Sequence, residues 1–276
     1  MGALRTGVAI AVAGALALRC AGARHPHEPL RLATFNIEDF PQHDAQVAGA
    51  FDELAHVGAA IVAVQEIVDP ARFERELHAR FGASWSFVHT DDGSHELGVM
   101  FDRAAWTLVS VQIHDETRLG GNHKPVLDVR LRGDDGELVR VLVVHLKSGT
   151  PGRDVRARQH AALVPIVRAA VASGEHVVVM GDFNATEDAD RADLASLARA
   201  THLAWATEPL ACSAFWRRED GCWRSRLDHV LTFASPESVA VAGACASEGC
   251  ERQDRCPRYV REVSDHCPVV VELPRR

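Results

Sequence analysis

With 276 residues, 47% of them hydrophobic and 25% charged, the chain has the composition of a soluble globular protein with a sizeable core. Its 38 acids outnumber 30 basic residues, for a formal net charge of −8. That excludes a protein that holds polyphosphate by bulk positive charge alone.

Residues 1–23 read as an export signal. Arg5 supplies the positive start, Gly7 to Leu18 is an apolar run short for a membrane span, and Ala21-Gly22-Ala23 is an A-x-A-like cleavage site. A retained membrane anchor is the alternative reading. A lipoprotein anchored through Cys20 is another, which Arg19 just before it fits poorly. Removing 1–23 takes away two arginines and no acid, which moves the balance from −8 to −10. Residues 24–29 are a short linker. With no Pro/Gly/Ser-rich tract and no internal repeat, 30–276 is expected to form one domain.

Along that domain, Leu30 to Ile37 alternates as a first strand and ends among Asn36, Glu38 and Asp39. Ala45 to Val57 carries Val47, Ala50, Phe51 and Leu54 at helical intervals. Ala59 to Glu66 is a continuous apolar run, a strand buried on both faces that ends in a carboxylate. Pro70 opens a second helix through about Phe81. Trp85 to His89 and Glu96 to Phe101 are strands joined by the Asp91–Ser94 turn, and further strands are expected at Trp106–His114, Val126–Leu131 and Val139–Leu146. Between them 120–125 is a loop.

Val155 to Ser173 predicts a helix that Pro165 should kink or split. Then comes Val177-Val178-Val179-Met180-Gly181-Asp182-Phe183-Asn184, a buried strand that stops at a glycine and presents an acid and an amide. Alternation puts Asp182 and Asn184 on one side and Phe183 in the core. An acidic, loosely helical stretch runs to about Thr201. Leu227 to Phe233 is a strand carrying Asp228 and His229, and Val269 to Leu273 closes the chain after Ser264-Asp265-His266.

After processing, six cysteines remain, at Cys212, Cys222, Cys245, Cys250, Cys256 and Cys267, all in the last quarter. An even number in an exported chain predicts three disulfides of open connectivity. A zinc site from Cys245, Cys250 and Cys256 is the rival, without the usual CxxC units.

Six polar strand ends stand in one order: Phe35-Asn36, Gln65-Glu66, Val144-His145, Gly181-Asp182-Phe183-Asn184, Leu227-Asp228-His229 and Ser264-Asp265-His266. This order resembles the endonuclease/exonuclease/phosphatase superfamily, with its deoxyribonuclease-I-like fold. The similarity extends from about Leu30 to the C-terminus. The resemblance implies an α+β protein, a four-layer α/β/β/α sandwich of two mixed sheets flanked by helices. It also implies metal ligation by Glu66, with Asn36 and Asp265 near it. These hard oxygen ligands suit Mg²⁺, Mn²⁺ or Ca²⁺. His145 and His266 would handle protons, with Asp228 orienting His266 and Glu96 pairing with His145. The base side is assigned to Asp228–His266 and the acid side to Glu96–His145, with the reverse open. Asp182 would orient water or hold a metal, and Asn184 would help compensate phosphoryl charge.

Where many relatives carry Arg-x-Pro, this chain reads His123-Lys124-Pro125, so His123 and Lys124 are the substrate-phosphate candidates, without the arginine fork. Arg153, Arg156 and Arg158 either track a nucleic-acid backbone or form a solvated helix face. Trp216, Trp223 and Arg217-Arg218 either stack on bases or pack a disulfide-pinned loop. His229 should face away from the cleft, and His25, His27, His43 and His56 lie on the surface. His145 to Gly149 followed by Arg158-Gln159 is similar to secreted bacterial nucleases of the superfamily. The expected function is therefore a secreted, monomeric, divalent-metal-dependent phosphodiesterase acting on nucleic acid, foremost a DNA endonuclease. The alternative is a sphingomyelinase-like or small-molecule phosphodiesterase, which an exposed hydrophobic hairpin for membrane docking would favour.

Overall fold

The computed structural model describes residues 28–91, 93–119 and 125–275. In its first half are β1 (Leu30–Phe40), α1 (Asp44–Val57), β2 (Ile61–Ile67), α2 (Pro70–Phe81), β3 (Trp85–His89), β4 (Glu96–Asp102), β5 (Trp106–His114) and β6 (Val126–Gly133). Next come β7 (Leu138–His145), α3 (Arg153–Ala172), β8 (His176–Asp182), α4 (Asp188–Thr201) and β9 (Ala204–Trp205). The last quarter holds β10 (Ala214–Arg218), β11 (Gly221–Ser225), β12 (Asp228–Thr232), β13 (Ser238–Val241), α5 (Gly243–Glu248), α6 (Tyr259–Glu262) and β14 (Val269–Leu273).

Two six-stranded sheets form, ordered β13-β14-β1-β2-β4-β3 and β5-β6-β7-β8-β12-β9. Each is mixed, because β1–β2 and β7–β8 are parallel while their other pairings are antiparallel. The alternation seen in the sequence decides the layers. Leu30, Leu32, Ile61, Ala63, Val99, Val141, Val143, Val178 and Met180 meet in one core between the sheets. The opposite rows meet the helices: Phe35 and Val64 pack with Phe51 and Phe73 of α1 and α2, and Val177 and Val179 with Leu163 and Leu194 of α3 and α4. The result is the expected four-layer sandwich.

Several local expectations change. Gly181 does not end its strand; β8 runs on through Asp182. A Cβ at Gly181, whose φ is +144°, would stand 2.0 Å from the Val144 carbonyl oxygen, so glycine is there to let β7 approach. The helix with Pro165 is neither split nor shortened. Pro165 and Ala161, whose carbonyl loses its partner, both lie on the exposed side, where water replaces the missing bond. The acidic stretch is a regular helix, α4, with a capping box between Glu187 and Asp190.

The segment around Trp216 and Trp223 is a two-stranded ribbon, β10–β11, separate from both sheets. Three disulfides hold this end: Cys212–Cys250, Cys222–Cys256 and Cys245–Cys267. Cys245, Cys250 and Cys256 thus bond to three different partners, and the zinc reading falls. The cysteines, Phe215 and Ala244 form a small core of their own, of the size that cross-links rather than burial sustain. The export signal, Cys20, His25, His27, His123 and Lys124 lie outside the described residues. Among those described, no helix is long and apolar enough to cross a membrane.

Candidate active site

The inner rows of four strands run out in polar residues at the same end of the sandwich. Leu30 and Leu32 are followed on that row by Thr34 and Asn36; Val141 and Val143 by His145; Val178 and Met180 by Asp182; Val230 is preceded by Asp228. Register finishes the alignment, because Asp182 lies directly opposite His145 on β7 and opposite Asp228 on β12. Phe183 takes the other face and packs among Leu163 and Leu194, as alternation predicts.

Asp182 is the centre. Its Oδ2 accepts from Asn36 Nδ2 (3.2 Å) and Asn184 Nδ2 (3.0 Å), and its Oδ1 accepts from the Asn184 amide (2.8 Å). The same Oδ2 lies 3.6 Å from His145 Nε2 and 3.8 Å from His266 Nε2. His266 Nδ1 is 2.8 Å from Asp228 Oδ2, which also accepts from Ser213 Oγ at 2.7 Å. Ser264 Oγ donates to the Asn36 carbonyl (2.8 Å) and accepts from the His266 amide (3.0 Å), tying the histidine loop to β1.

The second carboxylate centre is Glu66. Strand parity would point it at the helices, but its φ of +61° and a register slip between Val64 and Ile67 turn it toward the site. There it accepts from Asn36 Nδ2 (3.0 Å) and the Asp39 amide (3.2 Å), and it lies 3.6 Å from His145 Nε2. Glu38, Asp39, His95 and Asn184 also hold positive φ. Each such backbone costs about 1–3 kcal/mol, and its concentration at one cleft marks a site that the surrounding structure enforces.

Charge is crowded here. Burial pushes the Asp182 carboxyl up to about 7, with Asp228 and Glu66 adding to it against His266. Burial likewise raises Glu38 to about 7, reinforced by Asp265, and Asp265 to about 6, reinforced by Glu66 and Asp182. Burial also pushes Glu66 up, but His145, Asn36 and His266 outweigh it and leave the carboxyl below its ordinary value. For His266 burial alone would lower the pKa; Asp228, Asp265 and Asp182 together drive it well above the ordinary value.

An oxygen-rich cluster whose carboxyls resist ionising side by side fits a hard divalent cation, which would relieve that repulsion. Glu66 and Asp182 with His145, and Glu66 with Asp39 and His95, each bring ligand atoms within 4.8 Å of one another. Asp39 and His95 were not expected. Asp39 belongs to the polar end of β1, a readable signal, whereas His95 arrives through a turn that no periodicity marks. His95 bonds Asp39 across the cleft. Asn36 directs its amide nitrogen at both carboxylates and its oxygen at the Glu38 amide (3.0 Å), so it orients the acids.

The cleft above these groups measures about 630 Å³ and is walled by Glu66, His145, Asp182, Asp265 and His266 on one side and by Phe215 and Trp216 on the other. Glu96 is buried at the start of β4, where it accepts from Thr90 Oγ1 and the Ser94 amide (3.1 Å); Ser94 and His95 beside it line the cleft. His229 is fully buried on the opposite face, next to Thr207 and Trp205, as expected. Arg156 is neither a backbone tracker nor a solvated side chain. It is fully buried, pairs with Asp190 through two 2.8 Å bonds, and donates to the carbonyls of Lys147 (2.9 Å) and Gly149 (2.6 Å). Gln159 accepts from the Lys147 amide (2.9 Å), so α3 fixes the chain just beyond His145.

Solved structures share this fold. D. rerio TDP2 complexed with single strand DNA product superposes with a TM-score of 0.70 at 18% identity, over 88% of this chain and 98% of that one. The human Nocturnin catalytic domain with bound sulfate anion gives 0.64 at 18%, over 90% and 94%. The 3' phosphatase NExo from Neisseria, bound to product DNA hairpin, gives 0.64 at 17%, over 88% and 99%. No curated protein matches the sequence.

Two packed mixed sheets with acids and imidazoles at their common end define a hydrolase acting on phosphoric ester bonds. The sequence matches the Endonuclease/Exonuclease/phosphatase family over residues 33–266, and the chain belongs to that family.

Proposed function

We propose that the protein is a secreted phosphodiesterase that hydrolyses nucleic acid, foremost DNA, with a divalent cation held by Glu66, Asn36 and Asp265. The observation that carries this reading is the convergence of His145 Nε2 and His266 Nε2 on a single oxygen of Asp182, 3.6 and 3.8 Å away. Both imidazoles line the cleft of about 630 Å³ together with Asp182. When bound, the cation supplies charge neutralisation and Lewis-acid polarisation at the phosphoryl oxygens.

The protein's own groups do the rest. Asn36 keeps Glu66 and Asp182 oriented, Asn184 donates toward developing negative charge, Asp182 orients water, and one histidine takes a proton while the other gives one to the departing oxygen. Asp228 holds His266 in position through Nδ1. Asp228, Asp265 and Asp182 hold the His266 pKa well above its ordinary value, which favours the imidazolium and with it an acid role while those carboxylates are ionised. Its base role belongs to a site whose carboxylates are neutralised. Glu66 and Asp182 stand beside His145; Glu96 supports the loop carrying Ser94 and His95, and its pairing with His145 is part of this proposal. His123 and Lys124 are proposed to meet substrate phosphate. Three disulfides support an extracellular or periplasmic location. The nucleic acids bound by TDP2 and NExo support the substrate class.

The test is parallel incubation with supercoiled plasmid, RNA and sphingomyelin vesicles, with Mg²⁺ and with chelator. Metal-dependent nicking of plasmid is expected. Choline phosphate release without nicking overturns the reading in favour of a sphingomyelinase.

A further inference from the structure

We infer that the tip of the β10–β11 ribbon, Trp216 with Arg217 and Arg218, is a clamp for single-stranded nucleic acid that stacks on an unpaired base beside the cleft. This rests on the nucleic-acid reading above and narrows it. Trp216 is 49% exposed, yet it lines the same cleft as His145, Asp182 and His266. Phe215, its neighbour, also borders the cleft but is buried in the small disulfide core. A large indole held out of such a core, at the lip of a catalytic cleft and half open to solvent with the Arg218 guanidinium over its ring, is placed to meet a ligand ring.

The ribbon is built to hold that face still. The Phe215 amide donates to the Asp265 carbonyl (2.7 Å), the Cys267 amide donates to the Ser213 carbonyl (2.7 Å), and Ala214 bridges to His266. Cys212–Cys250 and Cys222–Cys256 fasten both strands. Trp216 is therefore anchored to the backbone on either side of a proposed catalytic histidine, and a base stacked on it has a fixed offset from the phosphate in the cleft.

Charge points to the same occupant. On a protein of net charge −8, residues 214–226 carry Arg217, Arg218, Arg224 and Arg226 against Glu219 and Asp220. Arg224 lies over the Phe215 ring and Arg226 is spent on the carbonyls of Glu208 and Leu210. Arg217 and Arg218 are exposed, and the Arg218 guanidinium sits 5.4 Å from the Trp216 ring and 5.5 Å from the Trp223 ring. An aromatic face with an adjacent guanidinium serves a base and its phosphate at once. A base inside a duplex offers only its edges, so the face selects unpaired nucleotides, without regard to sequence. Membrane insertion is the poorer match, because the turn is acidic (Glu219, Asp220) and Trp216 is the one exposed apolar side chain on the ribbon.

The experiment measures Kd for a labelled single-stranded oligonucleotide and for an all-abasic oligomer of equal length. It is run in chelator and, on the His145→Ala background, in Mg²⁺, with KM and kcat followed on the active protein. Trp216→Ala should weaken binding to the base-bearing strand and raise its KM about tenfold, leaving kcat within about twofold and the abasic oligomer unaffected. Trp216→Phe should retain most of the binding. Arg217→Gln with Arg218→Gln should weaken both oligomers alike and flatten the salt dependence. Equal losses on both oligomers for Trp216→Ala, no loss on either, or loss confined to binding of sphingomyelin vesicles each overturn the clamp. A wild-type protein that binds the strand through Trp216 but cuts no nucleic acid leaves the clamp standing and overturns the proposed function. One that cuts DNA regardless of Trp216 does the reverse.

Discussion

Arg156→Met tests whether the chain beyond His145 is held from beneath. Arg156 and Asp190 are both fully buried, so the substitution strands a carboxylate away from water and removes two donors from the Lys147 and Gly149 carbonyls. Breaking one side of a buried pair costs about 3–5 kcal/mol. Asp190 keeps the Glu187 amide at 3.1 Å and Arg153 at 3.5 Å, which places the loss near the lower bound, about 3 kcal/mol. For a domain of this size that lowers Tm by about 6–12 °C, read by circular dichroism under non-reducing conditions. The double variant Arg156→Met, Asp190→Leu removes the stranded charge and should regain part of the stability, the remainder being the capping box at α4 that Asp190→Leu gives up, about 1 kcal/mol. It does not restore the donors to Lys147 and Gly149, so phosphodiester cleavage should stay depressed in both variants. A single variant that loses under about 1 kcal/mol would refute the buried-pair argument. A double variant with full activity would refute the positioning argument.

His266→Ala and His145→Ala should each lower kcat by about 10²- to 10⁴-fold, and near-native turnover in either removes it from the mechanism; His266→Ala also strands the buried Asp228 carboxylate, so it should lower Tm more than His145→Ala does. Chelator should abolish cleavage. Because the raised carboxyls of Asp182 and Glu38 (both about 7) and Asp265 (about 6) cost stability as pH rises from about 4 through those values, added divalent ion should raise Tm more at pH 8 than at pH 5; an equal rise counts against ligation by this cluster. Burial lowers His160 to about 4, so the folded state binds fewer protons than the unfolded one below pH 6.5. That contribution to stability falls on acidification by about 2 kcal/mol at pH 5, opposite in sign to the carboxyls, so wild type should lose about that much relative to His160→Leu between pH 8 and pH 5. Reducing the three disulfides should remove activity while both sheets persist by far-ultraviolet circular dichroism, since the cross-links hold the His266 end and not the sandwich.

The strand ends were legible because alternation is a rule of geometry. Once Val178 and Met180 are inward, Asp182 must be, and Phe183 must not. The same rule misplaces Glu66, whose left-handed backbone overrides parity at the position where the site needs it. Helical spacing carried a signal for Arg156 that its charge concealed. It sits on the stripe of Gln159, Leu163 and Val167, so periodicity already marked it as inward. The β10–β11 ribbon was not legible, since its short strands lack an apolar row of their own and stand on disulfides whose pairing no spacing reveals.

Two kinds of support therefore meet at Asp182. Asn36, His145 and Asp228 are strand residues whose positions follow from sheet register and are as rigid as the core behind them. Asp265 and His266 lie on a loop, and their position follows from Ser264 on β1, Ser213 before β10 and the Cys245–Cys267 cross-link beside them. The sandwich can thus fold without that loop being set, whereas the proton-handling pair cannot form until the loop docks. An acid cluster left without its imidazolium would be more repulsive still. The His266 imidazolium lowers the charge penalty at Asp182, Asp265 and Glu66, and a bound cation would lower it further.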